Sequence, residues 1–140
     1  MRQEDRELLL ADLCARLPYG VMLNTPIDNK ALLALVFSKK YNTIIEYNDY
    51  HGNENDISEW EGGDIEFVKP YLRPMSSMTE EERIESLEFA WEDDYGRLAS
   101  YNENIPKYID WLNAHHFDHR NLIERGLAIA VTEENDPYKE

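Results

Sequence analysis

The chain has 140 residues, of which 42% are apolar and 31% are charged, and its formal net charge is −15. A chain of this length can bury about two thirds of its unfolded surface around one core, so we expect a single domain over residues 1–140. Its acidic surface would repel phosphate groups and anionic lipids, which argues against direct binding to nucleic acid or to a membrane. The single Cys14 excludes an intramolecular disulfide.

The sequence indicates neither a membrane-spanning segment nor a signal peptide. The longest apolar run, residues 31–37, is too short to span a bilayer. Acidic residues interrupt the apolar stretch at the N-terminus, where a signal peptide has none. The sequence therefore predicts a cytoplasmic protein.

The first predicted element is a helix over residues 3–17. Its leucines recur at three- and four-residue spacings, the pattern of an amphipathic helix. Cys14 falls on the apolar side with them, whereas Asp12 and Arg16 fall on the outer side. Pro18 ends the helix because the residue before a proline is driven out of helical geometry.

Residues 20–69 have the properties of a small antiparallel sheet. The β-branched and aromatic residues of 43–47 need an antiparallel partner, and the apolar run 31–38 supplies one through a short connection. Residues 48–63 lack periodicity and are predicted to form an exposed loop. About four strands are expected, at residues 21–23, 31–38, 43–47 and 64–69.

A connector at residues 70–78 separates the sheet from a helical half. It contains two prolines, which favour an extended path. Thr79 and Glu82 then have the spacing of a capping box, which predicts the start of a helix. This helix is predicted to run to Trp91 and to resume over residues 95–101.

The last part of the chain is predicted from three capping signals. Asn104 can cap a helix that ends near His116, Asp118 can cap a short turn, and Gly126 can close that turn. Residues 127–131 favour an edge strand, and residues 132–140 are expected to be a frayed acidic tail. The predicted fold is α+β: an N-terminal helix, a small antiparallel sheet of about four strands, and a helical C-terminal half, residues 79–131, packed on the sheet.

Three of the four histidines lie in residues 111–125, which we call the histidine corner. His115 and His119 are four residues apart, so on one helix they could share a metal ion with Asp118. The glutamate of an HExxH motif is missing, however, and the expected cap at Asp118 would break the helix between the two histidines. We therefore predict no catalytic, metal or cofactor site here. We predict instead a structural corner in which apolar side chains hold the helical half on the sheet: Trp111, Leu112, Phe117, Leu122 and Ile123.

Two acidic clusters and a surplus of aromatic residues remain. Residues 46–66 contain eight acids and no lysine or arginine, and residues 80–94 contain eight acids and one arginine. Aromatic side chains that stay exposed often anchor protein interfaces. The candidate interaction residues are Trp60, Tyr71, Trp91 and Tyr95.

The leading functional hypothesis is a small, soluble, acidic accessory protein that binds another protein without catalysis. One alternative is an acidic mimic of DNA that inhibits a nucleic-acid enzyme, which requires both acidic clusters to share one face. The other alternative is a metal-dependent enzyme that uses His115, Asp118 and His119. The sequence leaves the oligomeric state and the identity of the partner open.

Three blocks of sequence resemble a family of small uncharacterised bacterial proteins found in gut anaerobes and their mobile elements. The blocks are DLCARLPYGV at residues 12–21, KPYLRPMSSMTEEE at residues 69–82 and WLNAHHFDHRNLIERGLAI at residues 111–129. The resemblance implies one domain with a shared architecture in a bacterial cytoplasm. It implies no activity, because no function is established for the family.

Overall fold

The structure is a computed structural model that describes residues 2–25, 30–38, 43–49, 60–89, 91–92, 98–99 and 104–139, with only the backbone described for a number of strand residues. The helices in these ranges are α1 (Gln3–Arg16), α2 (Glu80–Ser86) and α3 (Ile105–Ala114). The strands are β1 (Met22–Asn24), β2 (Ala31–Ser38), β3 (Thr43–Asp49), β4 (Trp60–Asp64), β5 (Lys69–Leu72), β6 (Trp91–Glu92), β7 (Leu98–Ala99) and β8 (Ile129–Ala130).

The main sheet has the order β4-β3-β2-β1-β5-β8, and β6 and β7 form a separate antiparallel pair. The neighbours from β4 to β5 are antiparallel, whereas β8 runs parallel to β5. The predicted α+β class is confirmed, including the N-terminal helix and the hairpin of β2 and β3. The helical part of the C-terminal half is modest, because α2 has 7 residues and α3 has 10. Within the described ranges, no helix is long and apolar enough to cross a bilayer.

The core has two parts. In the larger part, Leu9 and Leu13 of α1 pack with Leu23, Leu33 and Ile45 of the sheet, and all five side chains are buried. The smaller part lies around α3, where three buried side chains meet partly buried residues from the segment around α2 and from α3 itself. Its members are Trp111, Leu112 and Phe117, with Met75, Met78, Phe89 and Tyr108 packed against them.

The predicted strand over residues 64–69 is wrong. The chain instead ends β4 at Asp64, makes a 3-10 turn at Ile65–Phe67, and begins β5 at Lys69. Ile65 and Val68 are both buried, whereas Phe67 is 62% exposed. This three-residue spacing belongs to a turn and not to the two-residue alternation of a strand. The predicted loop over residues 48–63 is shorter at both ends, because β3 runs to Asp49 and β4 begins at Trp60. Residues 50–59 of that loop lie outside the described residues.

The predicted helix from Thr79 to Trp91 is also wrong at its C-terminal end. The capping box of Thr79 and Glu82 is confirmed, but α2 ends at Ser86 and Trp91 begins β6. The Ser86 hydroxyl donates to the Arg83 carbonyl at 2.7 Å, a local hydrogen bond typical of serine near a helix end. The predicted helical continuation over residues 95–101 contains β7 where it is described, and residues 95–97 and 100–101 lie outside the described residues.

Helix α1 differs from its prediction in the orientation of its polar residues. Cys14 is exposed, although the pattern placed it on the apolar side. Asp12 and Arg16, which were assigned to the outer side, are fully buried. The two side chains form an ion pair, with Arg16 Nε 2.8 Å from Asp12 Oδ2. Pairing lowers the cost of burying each charge, so these polar residues can face the interior.

The predicted frayed tail is docked on the sheet in the described residues 132–139. The Tyr138 hydroxyl donates to the Tyr71 carbonyl at 2.7 Å and accepts from the Met22 backbone N–H at 3.0 Å. It therefore joins β5 to β1. The Tyr138 ring also stacks on His116, with centroids 3.7 Å apart. A part-buried tyrosine whose hydroxyl makes both hydrogen bonds therefore holds a segment that its acidic composition predicted to be frayed.

Candidate functional site

The histidine corner begins where α3 ends. His116 adopts a φ of 64°, its N–H donates to Asn113, and the Phe117 N–H donates to Leu112 at 2.9 Å. This hydrogen-bond pattern is a Schellman motif, in which a left-handed residue closes the helix. A histidine in this conformation is strained, and the stacking of its ring on Tyr138 compensates for that strain.

A second Schellman motif closes the corner at Gly126. The φ of Gly126 is 76°, and the Leu127 N–H donates to the Leu122 carbonyl at 2.9 Å. Between the two motifs, the Asp118 carboxylate accepts from the backbone N–H groups of Leu122 at 2.9 Å and Ile123 at 3.0 Å. The predicted capping role of Asp118 is confirmed, as is the closure at Gly126.

The corner is attached to the sheet through Arg73. The Arg73 N–H donates to the His116 carbonyl at 2.7 Å, and the Asp118 N–H donates to the Arg73 carbonyl at 2.8 Å. The Arg73 guanidinium lies over the Phe117 ring, 4.2 Å from its centroid. It also makes two hydrogen bonds to the Glu82 carboxylate, at 2.6 and 2.7 Å. Arg73 therefore connects β5, the corner and the start of α2.

A buried charge network lies on the other side of the corner. Asp12 accepts from Arg16 and also from Arg120, whose Nη1 lies 2.9 Å from Asp12 Oδ1. Arg16 Nη2 donates to the Phe117 carbonyl at 2.6 Å. This network was not predicted from the sequence, although the four-residue spacing of Asp12 and Arg16 was an available signal.

The three histidines of the corner have separate partners. The His115 ring stacks on Trp111 at 4.2 Å, and its Nδ1 donates to the Trp111 carbonyl. His119 Nε2 donates to the Asn113 side-chain oxygen at 2.8 Å. Both carboxylate oxygens of Asp118 accept backbone N–H groups. In the part of the chain that the structure describes, no three His, Cys, Asp or Glu residues form a group that could hold a metal ion.

The electrostatic surroundings favour neutral histidines in the corner. Burial lowers the pKa of His116 to about 4, and the positive charges of Arg16 and Arg73 act in the same direction. Burial likewise lowers the pKa of His119 to about 4, reinforced by Arg120 and Arg16. Both imidazoles are thus uncharged at neutral pH, which suits rings that stack and donate hydrogen bonds inside the fold.

Of the four aromatic residues predicted to anchor an interface, the structure describes the side chain of one. Tyr71 is 8% exposed and belongs to the core of β5, so the prediction of an exposed anchor at this position is wrong. Its backbone carbonyl accepts from the Tyr138 hydroxyl, so the C-terminal segment contacts β5 at this position. Trp60 begins β4 and Trp91 begins β6, but their side chains lie outside the described residues, as does all of Tyr95.

Helix α2 carries exposed apolar side chains among carboxylates. Ile84 is 61% exposed and Leu87, its C-cap, is 49% exposed. Residues three and four apart are neighbours on a helix, so Ile84 lies next to Leu87 and is surrounded by exposed glutamates. We call this group the α2 surface: Glu80, Glu81, Ile84, Leu87 and Glu88.

The other acidic cluster is described only in part. Residues 46–49 belong to β3 and residues 60–66 to β4 and the turn after it, whereas residues 50–59 lie outside the described residues. Mimicry of DNA requires both clusters to share one face, and that requirement therefore concerns residues that lie partly outside the described ones.

Comparisons with known proteins complete the description of the site. No protein-family model, no curated protein and no solved structure matches the chain. The resemblance to a family of small bacterial proteins stays a prediction.

Proposed function

We propose that this protein is a non-catalytic accessory protein that binds another protein. One observation carries the proposal: Ile84 and Leu87 are adjacent on α2, and about half or more of each side chain faces solvent. Two large aliphatic side chains side by side on a surface gain free energy when a partner covers them. The proposal includes a bacterial cytoplasmic location, as the sequence suggested.

The histidine corner supports the non-catalytic part of the proposal. His115, His119 and Asp118 already have partners inside the chain, since His115 bonds the Trp111 carbonyl, His119 bonds Asn113 and Asp118 caps the following turn. A general base or metal ligand needs a side chain that can reach a substrate or an ion. These groups instead stabilise the turn between α3 and β8.

The test is a search for a specific binding partner. The tagged chain is incubated with native bacterial lysate, and bound proteins are compared with those on an unrelated bait of matching isoelectric point. We expect one protein to bind only this chain and, when purified, to elute with it in a stable complex. Recovery of the same chaperones on both baits would contradict the proposal.

A further inference from the structure

We propose that the α2 surface binds a short basic amphipathic segment of a partner protein. The partner's apolar side chains would cover Ile84 and Leu87, and its lysines or arginines would face the surrounding glutamates. This inference rests on the proposed function, because it names the surface and the chemistry of the partner.

Helix geometry places the acids around the apolar pair. Glu80 and Glu81 lie four and three residues before Ile84, and Glu88 lies four residues after it. All three glutamates are exposed. The remaining carboxylate of the first turn, Glu82, is already neutralised by its ion pair with Arg73 at 2.6 Å. By the same spacing Arg83 lies four residues before Leu87, so the surface is an apolar centre whose rim is mainly, though not wholly, acidic.

Charge complementarity indicates which kind of partner can bind the α2 surface. A second copy of the chain would place glutamates opposite glutamates, and the net charge of −15 would oppose the approach. Anionic lipid is disfavoured for the same reason. A cationic segment is attracted at long range and gains ion pairs at the rim, while its apolar residues supply the contact at the centre.

Helix α2 is held rigidly enough to present this surface. Its N-terminus is closed by the capping box of Thr79 and Glu82, and Glu82 is held by Arg73. Farther along, the Trp111 indole N–H donates to the Glu85 carboxylate at 3.0 Å. A partner would therefore meet an ordered surface, which lowers the entropy cost of binding. With two apolar contacts, the affinity should be modest, on the order of 1–100 µM.

The test uses a fluorescent synthetic helix of lysine and leucine with all leucines on one face. A scrambled peptide of the same composition has the same charge but no apolar face. A third peptide replaces each lysine with glutamate. Binding is measured by fluorescence anisotropy near physiological salt, which screens non-specific attraction over distances beyond about 8 Å. We expect the amphipathic basic peptide to bind, and the other two to bind at least about tenfold more weakly.

Variants of the chain locate the binding site. Ile84→Gln/Leu87→Gln should weaken binding at least about tenfold, while Phe67→Gln, at an equally exposed position outside the α2 surface, should leave it within about twofold. For the rim, Glu80→Gln, Glu81→Gln and Glu88→Gln together should weaken binding more than the matched triple change Glu124→Gln, Glu133→Gln and Glu134→Gln. Circular dichroism checks that every variant is folded.

The outcomes separate this inference from the proposed function. Equal binding of the scrambled peptide would show general charge attraction and overturn the inference, as would equal losses in test and control variants. If a specific native partner is captured equally well by Ile84→Gln/Leu87→Gln, the α2 surface is the wrong site but the proposed function stands. If no specific partner exists, the proposed function fails regardless of peptide binding.

Discussion

The histidine corner and the α2 surface are neighbours with opposite distributions of polarity. The corner contacts ionic groups that are fully buried, Asp12 and Arg16, whereas α2 exposes Ile84 and Leu87. Each buried ionic group has a charged or carbonyl partner within 3 Å. The two exposed aliphatic residues lie instead where they contribute little to the core.

The contrast separates structural residues from candidate functional ones. Burying a charge costs several kcal/mol unless it is paired, so a buried network whose charges are paired with one another is explained by the fold itself. Apolar area that stays exposed adds almost nothing to the free energy of unfolding of the monomer. We therefore interpret the corner, which attracts attention in the sequence because of its histidines, as structural, and we regard the less conspicuous α2 as the better candidate for binding.

The largest expected effect tests the buried network. Arg16→Met removes the guanidinium that pairs with Asp12 and donates to the Phe117 carbonyl. It should lower the free energy of unfolding by about 3–5 kcal/mol, because a buried carboxylate loses one of its partners. Urea denaturation measures this. Arg125→Met is the control, since Arg125 is half exposed and its 3.5 Å pair with Asp5 should contribute less than about 1 kcal/mol. Equal losses of unfolding free energy in the two variants would contradict the view that the buried ion pair contributes more than the exposed one.

Acidification should destabilise the corner in a defined pH range. The folded-state pKa values of His116 and His119, about 4, lie below the ordinary value of 6.5. Between these two pH values the unfolded chain therefore binds protons at both imidazoles, whereas the folded chain does not. Stability should be full above pH 6.5 and fall as the pH drops toward 4. The pKa of Glu82, lowered to about 2 by the hydrogen bond from Arg73, adds a second loss from pH 4.5 down to 2.

Thermal unfolding from neutral to acidic pH measures this loss, and imidazole NMR signals report the two histidine pKa values. His119→Gln keeps a donor for Asn113 and should remove about half of the slope above pH 4. A melting temperature that stays unchanged between pH 6.5 and 4 would contradict the proposal that these two rings are buried in the neutral form.

Removing the cap at Asp118 should have the next effect. Asp118→Ala leaves the N–H groups of Leu122 and Ile123 without their acceptor and should cost about 2 kcal/mol. The control is Asp110→Ala at an exposed position of α3, which should change stability by less than about 0.5 kcal/mol. Chemical denaturation of both variants decides whether the corner depends on this carboxylate.

Tyr138→Phe tests whether the corner extends to the docked tail. The change keeps the ring that stacks on His116 but removes the hydroxyl that joins Met22 to Tyr71. We expect a loss of about 1–2 kcal/mol and faster hydrogen exchange at the Met22 amide. Tyr19→Phe, in the part-exposed turn after α1, is the matched control. No change in Met22 exchange would mean that the tail does not hold β1.

The smallest effect is expected at the α2 surface. Ile84→Gln and Leu87→Gln should each change the free energy of unfolding by no more than about 0.5 kcal/mol, because these side chains are already exposed. Leu112→Gln, at a buried position in α3, should cost at least about 3 kcal/mol. If the α2 changes unfold the protein, the two regions do not differ as proposed.

Local signals predicted the parts of the fold that depend on neighbouring residues. The capping box at Thr79, the cap at Asp118 and the glycine closure at Gly126 each involve atoms within five residues, so their chemistry is visible in the sequence. The end of α2 was not predicted, because its apolar spacing gives no sign that Ile84 and Leu87 face solvent. Tertiary contact decides how far a short amphipathic helix continues.

The sequence by itself determined the α+β class, the acidic surface and the structural character of Asp118. Only the tertiary structure decided which charges are buried, because Arg120 reaches Asp12 across 108 residues and Arg16 reaches Phe117 across 101. It also decided that the tail docks, since Tyr138 bonds Met22 across 116 residues. Such pairings depend on how distant elements pack, and no local pattern of residues specifies them.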